Sequence, residues 1–425
     1  METVSSTVAD ESPEQSAPPE SMSAFDFPVC DHLQRVLYHH RTQGKAVEGV
    51  HIRGITDALR AKDVEVDIIS LPGADPYRTD PKMSPTKQKT LLMKIVSRLP
   101  EPLFELAECG YNLIILLRVG KYLLTRRDVS LVYERYSLFT FMTTLLAKLF
   151  RKPIILEIND SATVERVRPL FFRWLAILLE RWTLRRADGL VFVSTVFRDR
   201  VAAAHGNKIA PTIISPNAAN IDKFTFTTQD RVSTRDKHGF REGDVVCGYL
   251  GAFVPWHAID QFVYKIARRL EEAPQLKLML VGDGATFADV QKFVEENALQ
   301  DRVILTGRVG HDEVPGLLAA MDIAILPSAG DYTSPVKLFE FMACAIPPLA
   351  PDLEPIREIV RPGETGWMFE SGNLDMAVDQ LFRLLQDDTA LQSVGQAARE
   401  YIAAERQWVH NIVQLTEFYL RIKSS

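Results

Sequence analysis

One pattern constrains this chain more than any other. Short apolar runs alternate with helix-spaced stretches, first over residues 36–215 and again over 245–326. The first series has apolar runs at 36–39, 64–70, 129–133, 154–157, 189–194 and 212–215. The second has them at 245–250, 276–281, 303–305 and 323–326, with helical patterns at 258–272, 286–298 and 312–320 between them. Strand, helix and strand in repetition build a parallel sheet with helices on its faces. A polar, aperiodic stretch at 216–225 separates the two series.

The expected architecture is therefore α/β, with two doubly wound, Rossmann-like domains facing a central cleft. The chain's 425 residues are too many for one ordinary core and suit two. The expected boundaries are 29–218 and 219–405. A last helical pattern over 394–422 carries Trp408, Ile412, Leu415 and Tyr419 on one face. Its end, 406–425, is read as a helix packing back on the N-terminal domain. Ligands of such sheets bind beyond the carboxyl ends of the strands.

Composition narrows the function classes. A formal net charge of −6 argues against bulk nucleic-acid binding. Residues 1–28, rich in Ser, Pro and Glu, read as a disordered tail without the basic start and apolar run of a signal peptide. No apolar run is long enough to span a membrane. Cys30, Cys109, Cys247 and Cys344 are far apart, so neither a zinc ribbon nor a disulfide framework is expected, and a cytoplasmic location is the default. Gly282-Asp-Gly284 lacks the third glycine of a dinucleotide fingerprint, because Phe287 stands there. P-loop, His-Glu-x-x-His and Asp-x-Asp motifs are absent, which disfavours P-loop kinases and metal-dependent chemistry.

The most informative segment is Ser334-Pro-Val-Lys-Leu-Phe-Glu340. Ser334 suits an N-cap and Pro335 a first helical position. The first turn of such a helix offers free N–H groups to an anion. Lys337 in that turn opposes the helix dipole unless it faces a diphosphate. Glu340, one turn on, can accept hydrogen bonds from ribose hydroxyls. The plain readings are a solvated lysine and a salt-bridged glutamate.

Extended to Cys344, this segment resembles the donor-binding motif of glycosyltransferase family 4, retaining enzymes of GT-B fold. Other segments agree in order. They are the glycine loop from Arg41 to His51, Val132-Tyr-Glu-Arg135, Leu156-Glu-Ile-Asn159, Phe192-Val-Ser194 and Ser215-Pro-Asn217. In the second half, Gly248-Tyr-Leu-Gly251, Pro255-Trp-His257, Leu280-Val-Gly-Asp-Gly284, Leu305-Thr-Gly307 and Gly363-Glu-Thr-Gly366 continue the series.

The resemblance implies transfer of a sugar from a nucleotide-diphosphate donor with retained configuration, the donor being a substrate and no cofactor or metal being needed. Glu340 would hold the ribose and Lys337 the diphosphate. The loop Asp331 to Pro335 would offer the backbone N–H groups of its non-proline residues to sugar and phosphates, with Tyr332, Thr333, Ser334, Pro335 and Val336 all on the donor side. Gly251 and Arg308 would lie on the donor side, and Gly44 would allow close approach from the opposite domain. Glu157 and Asn159 would face the acceptor or sugar, or simply cap strand ends.

Three departures matter. The first of the family's two glutamates is Tyr332 here, with Asp331 as a neighbouring substitute. The usual Arg and Lys after the first C-terminal strand are Ala252 and His257, the latter a phosphate or sugar contact or a loop cap. Ala345 replaces a common glycine. An altered donor loop leaves room for a GT-B epimerase, a phosphorylase or a non-catalytic partner subunit.

The segment RVRPLFFRWLAILLERWTLRR, residues 166–186, holds six arginines and one glutamate. It is read either as a domain helix or as a peripheral contact with the inner face of a membrane, suited to a glycan or lipid-linked acceptor.

Overall fold

A computed structural model describes residues 33–42, 44, 47–71, 74–78, 99–164 and 168–424. The expected tail, 1–28, lies outside them, as do Gln43, Lys45, Ala46 and Arg166.

The first sheet is formed by β1 (Arg35–His40), β2 (Glu65–Ile69), β3 (Leu131–Arg135), β4 (Ile154–Ile158), β5 (Gly189–Phe192) and β6 (Thr212–Ile214). All pairings are parallel, in the order β2-β1-β3-β4-β5-β6. Between the strands run α1 (Val47–Arg60), α2 (Glu101–Thr125), α3 (Met142–Leu149), α4 (Arg173–Arg186) and α5 (Thr195–Ala204). Every residue of β4 is buried, as expected for a strand covered by helices on both sides. One apolar cluster fills each face of this sheet.

After α6 (Thr228–Lys237), the second sheet is built from β7 (Val245–Leu250), β8 (Leu276–Val281), β9 (Val303–Gly307), β10 (Ile323–Ile325), β11 (Pro348–Asp352) and β12 (Trp367–Glu370). Its order is β12-β11-β10-β7-β8-β9, again parallel. The helices are α7 (Ile259–Ala267), α8 (Phe287–Glu296), α9 (Val314–Leu318), α10 (Val336–Ala343), α11 (Glu354–Arg357), α12 (Leu374–Leu384), α13 (Asp388–Glu405) and α14 (Trp408–Ser424). Strand order reverses between β1 and β3 in one sheet and between β7 and β10 in the other. Such reversals open a crevice at the strands' carboxyl ends.

The expected single helix over 394–422 is two. It breaks at Arg406 and Gln407 because these residues pair with the interdomain linker. Gln407 forms a bridge with Ala219, and the Ala219 N–H donates to the Arg406 carbonyl at 3.1 Å. α14 then lies on α1, where Trp408, Ile412, Leu415 and Tyr419 join the cluster of Ile52, Ile55 and Leu59. Gly54 leaves the space that the Trp408 ring occupies. Ala345 takes a left-handed φ of 56°, just beyond α10, where a glycine would be unstrained.

Candidate active site

Two loops, one after β7 and one after β10, form the second sheet's crevice. After β7, Gly251 adopts φ +147°, and a Cβ there would stand 2.6 Å from Lys337 Nζ. After β10, the loop from Pro327 leads into α10. Ser334 is not the N-cap of that helix: Pro335 is, in an extended conformation and with no side-chain cap bond. Ser334 Oγ instead accepts from the Asn217 backbone N–H at 3.0 Å, and the Ser334 carbonyl accepts from the Asn217 side-chain amide. The cap is therefore given up for a tie to the linker, and the N–H groups of the first turn of α10 gain no side-chain acceptor.

Lys337 is not solvated at its tip. Its Nζ is buried and has no hydrogen-bond partner among the described residues. It lies 4.8 Å from the centroid of the Tyr249 ring. Burial brings its pKa down to about 8, against the pull of Glu340. His257 sits beside it, with Nδ1 at 2.8 Å from the Ala252 carbonyl and 3.1 Å from the Tyr249 hydroxyl. Burial and then the Lys337 charge push the His257 pKa down to about 4, so its ring is neutral near pH 7. A buried ammonium with no counter-charge in contact is costly, and an anion placed before it removes that cost.

Glu340 is 5% exposed. Its pKa is raised to about 7 by burial, against the opposing charges of Lys223 and Lys337. His311 Nε2 is 3.6 Å away, too far for a hydrogen bond. The His311 ring rests near Phe224, and burial, with Lys223 and Arg53, holds its pKa down to about 4. Arg308 lies 3.7 Å from Asp283 at the outer rim. Sequence reasoning gave no role to Tyr249, although it lies within Gly248-Tyr-Leu-Gly251, and missed Lys223 and His311, which belong to no motif and are recognisable only once folded.

The opposite wall belongs to the first domain. Gly44 has φ +65°, and a Cβ there would meet the Ala74 carbonyl at 2.5 Å, so only glycine allows the turn. Arg53 of α1 is near enough to His311 and Asp312 to shift both.

Asp331 and Tyr332 do not join Lys337 and Glu340. The Asp331 carboxylate pairs with Arg200 of α5 at 2.7 Å, which holds its pKa below the usual carboxylate range. The Tyr332 ring packs 4.8 Å from Phe197, against the first domain's core, and its carbonyl accepts from Ser194 Oγ at 2.8 Å. Thr333 Oγ1 turns back to the Gly330 carbonyl at 3.1 Å. The side chains expected to replace the first glutamate are thus structural ties between domains.

Glu157 and Asn159 form part of an internal network rather than an open acceptor wall. Glu157 accepts from Arg135, Asn159 and Tyr133, and lies 2.8 Å from His51 Nε2. Burial alone would raise the Glu157 pKa, but His51 and Arg135 bring it down to about 2. His51 Nδ1 in turn lies 2.6 Å from Asn217 Oδ1. A polar chain therefore runs from Ser334 through Asn217 and His51 to Glu157. Nearby, His39 Nδ1 and Glu134 Oε1 make a buried contact of 2.8 Å at the β1–β3 crevice.

Among the described residues, no group of three His, Cys, Asp or Glu side chains converges as a metal site. A groove of about 760 Å³ beside Arg231, Arg235 and Asp322 shares no residue with the cleft.

Known proteins agree with this geometry. The family model for Glycosyl transferases group 1 matches residues 230–401, and that for Glycosyl transferase 4-like domain matches residues 48–218. N-acetyl-alpha-D-glucosaminyl L-malate synthase of Bacillus anthracis is 29% identical over 43% of this chain and 47% of its own length. The GDP-mannose-dependent alpha-(1-6)-phosphatidylinositol monomannoside mannosyltransferase of Mycobacterium tuberculosis is 27% identical over 58% of this chain and 66% of its own length. The matched region thus spans about half to two-thirds of these relatives. In fold, Anabaena HepE, crystallised with UDP, superposes with a TM-score of 0.66 at 15% identity, covering 92% of this chain and 100% of that one. Sucrose-phosphate synthase of Thermosynechococcus elongatus gives 0.66 at 18% identity and the same coverage. Two parallel sheets, a cleft at their switch points and family matches on both sides of it lead to one conclusion: the chain belongs to glycosyltransferase family 4, of GT-B fold.

Proposed function

We propose that this protein is a retaining glycosyltransferase that moves a sugar from a nucleotide-diphosphate donor to a glycan or lipid-linked acceptor, in polysaccharide or glycolipid assembly. The observation that carries this is the buried, unpartnered Lys337 ammonium in the first turn of α10, facing Gly251 at the β7–β10 switch point. A diphosphate there meets one fixed cation and the free N–H groups of the helix start. Glu340, one turn on, takes the ribose hydroxyls.

As the bond to the sugar breaks, charge accumulates on the departing diphosphate. Lys337 and the helix start are already oriented to stabilise it, without a metal or other cofactor. Asn159 cannot serve as a base, so the leaving phosphate takes the acceptor's proton on the same face, which retains configuration. The mannosyltransferase's name, with GDP-mannose and a phosphatidylinositol mannoside in it, supports a nucleotide-sugar donor and a lipid acceptor. The reading puts the enzyme in the cytoplasm, with a peripheral membrane contact on the first domain to which the basic segment 166–186 contributes.

A second reading, a non-catalytic partner subunit, is favoured by Tyr332, which replaces a donor-side glutamate and is held by the first domain. Incubation with a panel of nucleotide sugars and a lipid-linked acceptor separates the readings. Nucleotide release coupled to acceptor extension supports the transferase. Donor interconversion without acceptor indicates an epimerase, and phosphate-dependent release of sugar phosphate a phosphorylase. Donor binding without turnover indicates the subunit.

A further inference from the structure

α2 is apolar on both sides. Its inner face is core, with Tyr111, Ile115, Val119 and Leu123 buried. Its outer face carries Leu106, Leu113, Leu117 and Leu124, which are 53%, 63%, 64% and 63% exposed. Helical spacing aligns these four leucines in one stripe. A helix that is hydrophobic all round is ordinarily enclosed; on this one the outer leucine stripe is exposed.

The neighbouring helices extend the patch. The Glu105 carboxylate of α2 accepts from the backbone N–H groups of Phe171 and Phe172, at 2.6 and 2.7 Å, and so fastens the start of α4 to α2. There Phe171 and Trp174 are 63% and 67% exposed. On the other side, Asn112 of α2 accepts from the Phe141 and Met142 N–H groups at the start of α3. α3 contributes Leu149, 71% exposed.

Exposed charge on this face is mostly basic, Asp128 just past α2 being the acidic exception and paired with Arg35. Lys121, Arg126, Arg127, Arg151 and Arg181 are all exposed. No acidic residue of α2, α3 or α4 is exposed. Glu101 pairs with Arg168, Glu108 with Arg41 and Glu180 with His205, while Glu105 holds the start of α4. In a chain of net charge −6, this basic rim around an apolar stripe is a local specialisation. A second copy of the chain fits poorly, because a two-fold contact would set the cationic rim against itself.

We propose that the outer face of α2, with the first turn of α4 and the end of α3, seats the protein on an anionic phospholipid bilayer. The leucine stripe and Trp174 enter the acyl boundary and the basic rim meets the headgroups. This moves the main contact from 166–186 to α2. The same helix holds the cleft edge: Glu108 pairs with Arg41 at 2.6 Å, just before Gly44. A lipid-linked acceptor taken from the bilayer would arrive beside that loop. That last point rests on the transferase reading; the docking does not.

The test uses the full chain and phosphatidylcholine vesicles with and without phosphatidylglycerol, in low salt. Co-sedimentation is expected to be about tenfold or more stronger on the anionic vesicles, a preference that added salt removes. Leu113→Glu with Leu117→Glu reduces binding about tenfold or more, because charge replaces buried apolar area. Arg126→Glu with Arg127→Glu lowers the anionic preference. Both variants keep the wild-type calorimetric affinity for UDP-sugar, GDP-sugar or whichever donor the panel identifies. Binding to neither vesicle overturns the proposal, as does equal binding of wild type and variants to both. A dimer abolished by the leucine variant, without vesicle binding, also overturns it and makes the face a protein interface. If no donor is turned over yet vesicle binding behaves as expected, the docking stands and the transferase reading fails.

Discussion

The Ser194 hydroxyl of the first domain donates to the Tyr332 carbonyl of the second at 2.8 Å, and thereby fixes the donor loop to the opposite wall of the cleft. Arg200 with Asp331 and Phe197 with Tyr332 reinforce that tie. Opening the cleft at this seam must withdraw a partly buried aromatic side chain from its packing against the first domain's core. Tyr332→Ala should cost about 1–3 kcal/mol of folding stability through lost apolar burial, and widen the distance distribution between fluorophores placed on the two domains. Arg200→Ala, at an exposed pair, should cost at most about 1 kcal/mol. An unchanged distribution in the tyrosine variant would show that the loop is not a clasp.

Donor affinity should depend on pH with two limbs. Below about 7, Glu340 is protonated and loses acceptor capacity for the ribose. Above about 8, Lys337 is neutral and loses its charge towards the diphosphate. Affinity for a nucleotide sugar therefore peaks between these values and declines on either side. Glu340→Gln should flatten the acid limb and Lys337→Ala the basic one, each weakening binding by about 1–3 kcal/mol near the optimum. Titration calorimetry from mildly acidic to mildly alkaline pH reads both limbs.

Gly251→Ala should mimic the lysine variant. The new Cβ takes the space beside Lys337 Nζ, at a φ that alanine adopts only under strain. A loss of about 1–2 kcal/mol in stability is expected, together with donor binding as weak as that of Lys337→Ala. Wild-type affinity in this variant would mean that the ammonium has room elsewhere and is not held by the backbone.

Glu157 predicts acid sensitivity of the first domain. Its pKa in the fold, about 2, is below the usual 4.5, so its contribution to stability is complete above pH 4.5 and disappears as pH falls towards 2. Glu157→Gln should reduce the slope of melting temperature over that interval. Glu157→Ala leaves the half-buried Arg135 without its counter-charge and the buried His51 without its partner, and should cost about 3–5 kcal/mol at neutral pH.

Much of the fold was legible because strand and helix periodicities differ and recur. The two parallel sheets emerge from that alternation. The α13–α14 break was not legible, since an unbroken apolar period carries no trace of Gln407 pairing with Ala219 across the chain. In the site, Lys337 and Glu340 stood out as unusual residues for a helix start. Ser334 misled because its hydroxyl suits a cap equally well, and only the fold brings Asn217 to compete for it. Asp331 looked like a replacement for a missing carboxylate until Arg200, distant in sequence, took it. His311 had no local signal at all, and Tyr249, though inside Gly248-Tyr-Leu-Gly251, had none that marked its ring as the neighbour of Lys337. The stripe on α2 also escaped notice, because exposure of an apolar helix is a property of what fails to cover it.

α14 closes the first domain although it comes after the whole of the second in the chain. While the protein is being synthesised, the groove on α1 beside Gly54 therefore stays open until Trp408 emerges. The earlier-made domain must wait for the later one, and the nascent chain carries an uncovered apolar surface through that interval. Chaperone demand during translation should accordingly centre on α1.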